Sequence, residues 1–403
     1  MSTSRRCVVL SLGMGIDSVA LLVRWIVEAA TRDFDLRDLI CVTAMTGDEH
    51  DRTRELMERY LLPLLRTYAI RYVQIARRGQ EASAGYEVLN DSRAPERMHM
   101  RGSWRLSDEM RSAGTLPSLV KGRRWCSERA KGDPLDWWMR DHVPAGYTHV
   151  VGFAAEEPGR AIRDTDARRA KEAEGKVVPC TVMYPLIEWG WDRARCERYL
   201  REQFNLPNEQ GWARSCCTYC PFQATAGSRQ ELTARWRAQP DAGADALVLE
   251  HTALALNERI GAFGVNRTAV DLARDEGLDA VLEIAGKRLD AVAKWSLVEV
   301  RRVFDARNQS PELKGMAWRD VHAARHGSRN EMLSHLTAIQ STTTCTDAHG
   351  ITRAWRRNDR ATDVVRYPAI EWFWVAVPHG LQDKKRKGFE RVWTRAHSGT
   401  LFT

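Results

Sequence analysis

Cys7-Val8-Val9-Leu10-Ser11-Leu12-Gly13-Met14-Gly15-Ile16-Asp17-Ser18 is the stretch on which the reading of this chain turns. An apolar run, Cys7 to Leu12, breaks into a glycine-bearing turn, and Val19 to Ala30 then follows with helical character. A strand that ends in such a turn and feeds a helix builds an anion cradle. Gly13 and Gly15 let the backbone curl, and the amides of the first helical turn point at whatever sits there. No Gly-Lys-Ser/Thr follows, so the turn is not a Walker loop, and Ser18 stands where G-x-G-x-x-G needs its third glycine. An ordinary strand-turn-helix connection with Asp17 or Ser18 as helix cap remains the competing reading of these residues.

At 403 residues the chain exceeds a usual single core, so two domains are expected. Short apolar runs near Cys7 to Leu12, Leu39 to Ala44, Tyr72 to Ile75, His149 to Phe153 and Val178 to Met183 read as strands. Helical patterns lie between them at Asp17 to Ala30, Arg52 to Tyr68, Pro134 to Asp141, Arg160 to Ala173 and Asp192 to Phe204. This alternation predicts an α/β fold, a parallel sheet with helices on both faces, whose ligands bind beyond the carboxyl ends of the strands. Residues 79–120 are polar and Arg-rich and read as an insertion or substrate lid. From Arg229 a mostly helical pattern runs through Phe304, giving domains 1–228 and 229–403.

No apolar stretch approaches the length of a membrane helix and no signal-peptide core is seen, so a cytoplasmic protein without a membrane partner is expected. The net charge is +8, and residues 351–403 hold 11 Lys and Arg against 5 Asp and Glu. Trp355, Trp372, Phe373, Trp374 and Trp393 interleave there with Arg356, Arg357, Arg366, Arg391 and Arg395. That pattern suits a nucleic-acid surface, and equally a strand, Ile370 to Val377, whose aromatics fill a core. The Lys384-Lys385-Arg386-Lys387 run reads as a solvated loop. Of nine cysteines, Cys7, Cys41, Cys180, Cys196 and Cys345 are isolated, whereas Cys126 and the cluster Cys216, Cys217 and Cys220 are metal-ligand candidates.

Gly13-Met14-Gly15-Ile16-Asp17-Ser18 resembles the S-G-G-x-D-S pyrophosphate loop of the N-type ATP pyrophosphatases, with Gly and Met replacing the first Ser and Gly. Further stretches resemble the phosphoadenosine phosphosulfate reductase-like branch of that superfamily. They are Thr46-Gly47-Asp48-Glu49 with Thr53, Gly152 to Glu157 with Arg160 and Arg163, Tyr184-Pro185-Leu186-Ile187-Glu188-Trp189, and Arg214 to Pro221. Ala154 stands where that family commonly has Arg, and its C-terminal E-C-G-x-H segment is missing, which disfavours sulfonucleotide reduction.

The resemblance implies an adenine nucleotide alpha hydrolase-like fold and an ATP pyrophosphatase that adenylates a nucleic-acid or related substrate to support sulfur incorporation. DNA phosphorothioation is the preferred instance, with a cysteine desulfurase as sulfur donor. Alternatives are a reductase-type sulfonucleotide enzyme and a non-catalytic ATP- or nucleic-acid-binding module. Ser11, Gly13, Gly15, Asp17, Ser18 and Gly152 would bind ATP. Asp17, Asp48, Glu49 and Arg160 would be catalytic, the carboxylates through Mg²⁺, and Arg123, Arg124, Lys131 and Arg160 would neutralise phosphates. Cys126, Cys216, Cys217 and Cys220 would hold a [4Fe-4S] cluster, with zinc or a metal-free Cys217/Cys220 redox pair as alternatives.

Overall fold

In this computed structural model, residues 7–117, 125–207, 211–212, 216–220, 229–263 and 267–397 are described. The chain divides into two compact units, Met1–Glu109 with Gly122–Thr218, and Met110–Lys121 with Tyr219–Thr403.

The first unit is built on six strands: β1 (Val8–Ser11), β2 (Leu39–Met45), β3 (Arg71–Arg77), β4 (Tyr86–Ser92), β5 (Tyr147–Val151) and β6 (Cys180–Met183). Their order is β4-β3-β2-β1-β5-β6, and every pairing is parallel except β3 with β4. The side-chain period of two divides the strand residues between faces. Val8 and Leu10 enter a core with Leu21, Leu22 and Trp25 of helix Ile16–Val27 and with Cys196 and Leu200 of helix Arg193–Phe204. Val9, Val42, Val73 and Ile75 instead meet Trp138 and Met139 of helix Asp133–His142 on the other face. The expected parallel sheet covered on both faces is thus present.

Within 79–120 the structure has more order than an insertion implies. β4 pairs antiparallel with β3 from Arg77↔Tyr86 to Tyr72↔Ser92, and a helix runs Leu106–Ala113. Tyr-Glu-Val-Leu-Asn-Asp-Ser hides as a strand because an edge position needs no continuous apolar run, and polar side chains blunt its unpaired side.

The second unit corrects the expectation of a mostly helical C-terminal domain. Helices Arg229–Ala238, Pro240–Leu256, Ala269–Asp275 and Asp279–Asp290 give way to β7 (Trp295–Arg307), β8 (Ser310–Gly327), β9 (Thr343–Thr346), β10 (Thr352–Asn358), β11 (Ala369–Pro378) and β12 (Lys384–Lys385). These form an antiparallel sheet in the order β12-β8-β7-β11-β10-β9. The helical pattern extended too far because Glu299, Arg301 and Arg302 punctuate the β-branched run of β7. A tight turn with Asn308 and Gln309 at φ +50° and +62° reverses the chain, the left-handed pair a two-residue hairpin demands.

In β11, Ile370, Phe373, Val375 and Val377 are buried, as its core reading requires. The half-buried Trp372 and Trp374 lie under the guanidinium of Arg356, whose Cζ is 4.6 and 5.0 Å from the two ring centroids.

Two buried arginines close the C-terminus of helix Pro240–Leu256. Arg353 donates to the carbonyls of Leu254 and Ala255 and, at 2.6 Å, to Asp347. Arg302 reaches the carbonyl of Leu256 and Glu371. They satisfy carbonyls that a buried helix end otherwise leaves orphaned and oppose its negative dipole end. Replacing Arg353 with Met is expected to destabilise the unit by about 3–5 kcal/mol, the usual cost of stripping one partner from a buried ionic network, measured by urea unfolding. A loss below about 1 kcal/mol would show that the network does not hold the helix end.

Candidate functional site

The sheet order places a topological switch point at the seam between β1 and β5. From β1 the chain crosses to β2 and β3 on one side and later returns to β5 and β6 on the other, which opens a crevice beyond the carboxyl ends of β1 and β5. The Ser11–Ser18 turn and Gly152 occupy those ends.

The turn is braced internally. The Ser18 hydroxyl accepts from the Gly13 amide at 3.1 Å and donates to the Gly15 carbonyl at 3.3 Å. Met14 sits at φ +60°, a conformation that suits glycine, with its side chain fully buried in the core and its carbonyl accepting from Trp212 Nε1 at 3.0 Å. Gly15 is the N-cap of helix Ile16–Val27 and, having no side chain, leaves the first-turn amides without a side-chain cap. Gly152 is required by close approach, since a Cβ there would lie 2.8 Å from Ser18 Cα and 3.0 Å from Ser18 N.

Ser11 ends β1 with its Oγ 2.8 Å from Nε2 of His149, a buried residue of β5. Burial, then the charge of Arg168, holds the His149 imidazole down at about 3, so it is neutral. When Nε2 carries the ring proton and donates it to Ser11, the serine hydroxyl proton is left to face an anion. His149 Nδ1 is itself buried without a hydrogen-bond partner.

Asp17 forms a two-pronged pair with Arg193, whose Nη2 and Nε lie 3.0 and 3.4 Å from the two carboxylate oxygens. Burial raises the Asp17 pKa and Arg193 opposes the rise. Arg193 also reaches Glu157 Oε2 at 3.7 Å, and its backbone amide donates to Glu156. Arg160 pairs with Glu157 on its own helix at 2.6 Å and covers the ring of Phe153. The cation bound to Asp17 is therefore Arg193, which the sequence reading did not single out.

Asp48 and Glu49 serve the turn after β2. The Asp48 carboxylate accepts the amide and hydroxyl of Ser107, both at 2.7 Å, in the first turn of helix Leu106–Ala113. Glu49 accepts the amides of Thr46 and Gly47 at 3.0 and 3.1 Å and has Lys131 Nζ at 3.7 Å. Both carboxylates do capping work, though for other segments than the helix at Asp51 that their sequence position suggests.

Cys217 pairs with Glu49 in an isolated bridge and brings its Sγ 3.4 Å from Thr46 Oγ1. Cys126 lies on the helical turn Trp125–Ser127, and Cys126, Cys216 and Cys220 are half-buried. Among the described residues no three His, Cys, Asp or Glu side chains form a group able to hold a metal ion, these cysteines and Asp17, Asp48 and Glu49 included. Arg123, Arg124, Arg214, Ser215 and Pro221 lie outside the described residues.

His149, Arg193, Ser107 and Trp212 are the site residues that the sequence did not disclose. His149 carried one signal, a polar side chain inside an otherwise apolar strand, Thr148-His149-Val150-Val151. Comparison with protein-family models, with curated proteins and with solved structures gives no match. Among the described residues no helix is long and apolar enough to cross a membrane.

Two outcomes follow from this geometry. Gly152→Ala forces its methyl into the Ser18 backbone and is expected to cost about 1–3 kcal/mol in thermal or urea unfolding; a neutral result would mean that the seam can open. His149 takes up a proton in the unfolded state near its ordinary value of 6.5 and in the folded state only near 3. Between these limits the unfolded chain binds the extra proton, so stability falls with acidification by up to about 1.4 kcal/mol per pH unit from this group. His149→Gln, which keeps a donor toward Ser11, should flatten that limb in urea titrations at successive pH values, and an unchanged slope would count against a buried neutral imidazole.

Proposed function

We propose that the chain binds ATP with its triphosphate on the Ser11–Ser18 turn and acts as an ATP pyrophosphatase that adenylates a nucleic-acid or related acceptor. One observation carries the reading: a glycine-bearing anion turn lies at the switch point of a parallel sheet, where the uncapped amides of helix Ile16–Val27 face the crevice. The order of the sequence motifs adds to it.

In this reading an acceptor oxygen attacks the α-phosphorus, the bond to the β-phosphate oxygen breaks and pyrophosphate leaves. First-turn amides and the Ser11 hydroxyl hold the terminal phosphates, so that charge accumulating on the leaving pyrophosphate meets donors already in position. The Asp17–Arg193 pair orients the start of the helix, and Arg193 supplies a cation for phosphate charge. ATP enters as its magnesium complex, the metal arriving with the substrate. The terminal sulfur of a persulfide from a cysteine desulfurase then displaces AMP, and an external thiol breaks the resulting S–S bond, leaving the thiolated acceptor and a disulfide; DNA phosphorothioation is the preferred instance.

A second reading, nucleotide binding without turnover, is favoured by the engagement of Asp48 and Glu49 with backbone amides, Ser107 and Lys131. Pyrophosphate release from magnesium ATP, assayed with and without DNA, separates the two. The enzyme reading expects release that rises when DNA is added, and a loss of roughly tenfold or more in Ser18→Ala, which removes the two hydrogen bonds that brace the turn. ATP binding by calorimetry with no pyrophosphate under any condition would leave the sensor, and no binding would remove both.

A further inference from the structure

The second unit carries a histidine pair that the nucleotide reading does not use. Ser296, near the start of β7 and 1% exposed, places its Oγ 3.0 Å from Nδ1 of His326 and 3.1 Å from Nδ1 of His379. His326 stands directly opposite Ser296 at the end of β8, and His379 follows β11, with its amide donating to the Lys294 carbonyl at 3.0 Å. Both imidazoles are exposed, with ring centroids 4.8 Å apart and planes at 81°. A register shift between Leu297 and Val298, facing Arg325 and Ala323, lies next to the pair, and such bulges re-aim neighbouring side chains.

A hydroxyl oxygen has two lone pairs, so the Ser296 oxygen can accept an Nδ1–H from each ring. In that tautomer each exposed imidazole keeps an unprotonated Nε2. Anchoring the remote N–H of a ligating imidazole on a fixed acceptor is also how proteins orient histidine toward a metal. We propose that His326 and His379, anchored by Ser296, form a two-imidazole site for a first-row divalent cation of the Zn²⁺ type.

Binding requires side-chain adjustment that brings both nitrogens to about 2.0–2.1 Å of one ion, with the remaining positions left to water or an anionic co-ligand. Lys294, whose carbonyl accepts from the His379 amide, opposes a bound cation. Asp383, held by the Ala323 amide at 2.8 Å and by His322 Nδ1 at 2.7 Å, supplies the carboxylate that offsets it. Imidazole donors and a neutral hydroxyl acceptor select Zn²⁺, Co²⁺, Ni²⁺ or Cu²⁺ over Mg²⁺ and Ca²⁺, which prefer oxygen.

The test is a titration of the full chain with Co²⁺, followed by displacement with Zn²⁺. Nitrogen-ligated cobalt gives weak visible bands, whereas binding to any of the nine thiols gives an intense sulfur-to-metal absorption, so the two sources separate optically. One equivalent should bind with the weak bands alone. His379→Gln, which can still hydrogen-bond Ser296 but supplies no ring nitrogen, and His326→Ala should each weaken binding at least roughly tenfold, and Ser296→Ala roughly 10–100-fold. Circular dichroism on each variant confirms that the fold is retained, and Cys217→Ser should leave the titration unchanged. Weak-band binding that survives His379→Gln in the folded variant, or only the sulfur absorption in the wild type, overturns the site.

Discussion

A close approach between two backbones sets the geometry of the first unit. Where β5 ends, the absence of a side chain at Gly152 lets that strand's exit lie against the first turn of helix Ile16–Val27, with room for no Cβ. The same helix turn holds Ser18, which ties Gly13 to Gly15, and the same seam joins Ser11 to His149. Widening the seam would slacken the anion turn and remove the fixed acceptor or donor behind Ser11. The crevice is thus defined by backbone packing before any side chain enters it, as the proposed ordering of phosphates by amides would require.

Buried charge is handled by one rule in both units. An ion taken from water needs partners that nearly replace its hydration, and backbone groups are the cheapest fixed partners available. Arg353 and Arg302 find theirs in the terminal carbonyls of helix Pro240–Leu256. Glu250, buried in that helix, accepts from the amides of Ala262, Ala269 and Val270; burial nevertheless lifts its pKa to about 7, with those amides working against the rise. Asp48 and Glu49 follow the same rule in the turn after β2. Other charges rely chiefly on side chains: Glu371 on Arg302 and Arg360, and Asp17 on Arg193, where on the proposed reading an incoming phosphate would compete for the guanidinium.

Much of the fold was legible because strong local signals agreed with the tertiary arrangement. β1, β2 and β3 are short apolar runs separated by amphipathic helices, and the parallel, two-faced sheet follows from that alternation. β4 and β7 were not legible for opposite reasons: the first is a polar edge, and the second is an interior strand whose charges mimic helical spacing. At the site, the glycines and Ser18 stood out because a turn needs them in sequence order. His149, Arg193 and Ser107 did not, since each is brought to its partner across 59 to 176 residues by the sheet and its crossovers. Arg160 was the arginine the sequence singled out, and only the structure shows it paired with Glu157 three residues earlier.

The engagement of the acidic residues constrains any chemistry at the crevice. A carboxylate that already accepts two short hydrogen bonds gives up little to a metal unless those donors are re-satisfied, and Ser107, Thr46 and Gly47 are the donors engaged here. On the proposed reading, positive charge for a triphosphate would come from amide dipoles, from Arg193 and from the cation that accompanies the nucleotide, and the preformed backbone surface would carry the binding. Its affinity for nucleotide should consequently depend more on the shape of the Gly13–Ser18 turn than on the number of carboxylates around it.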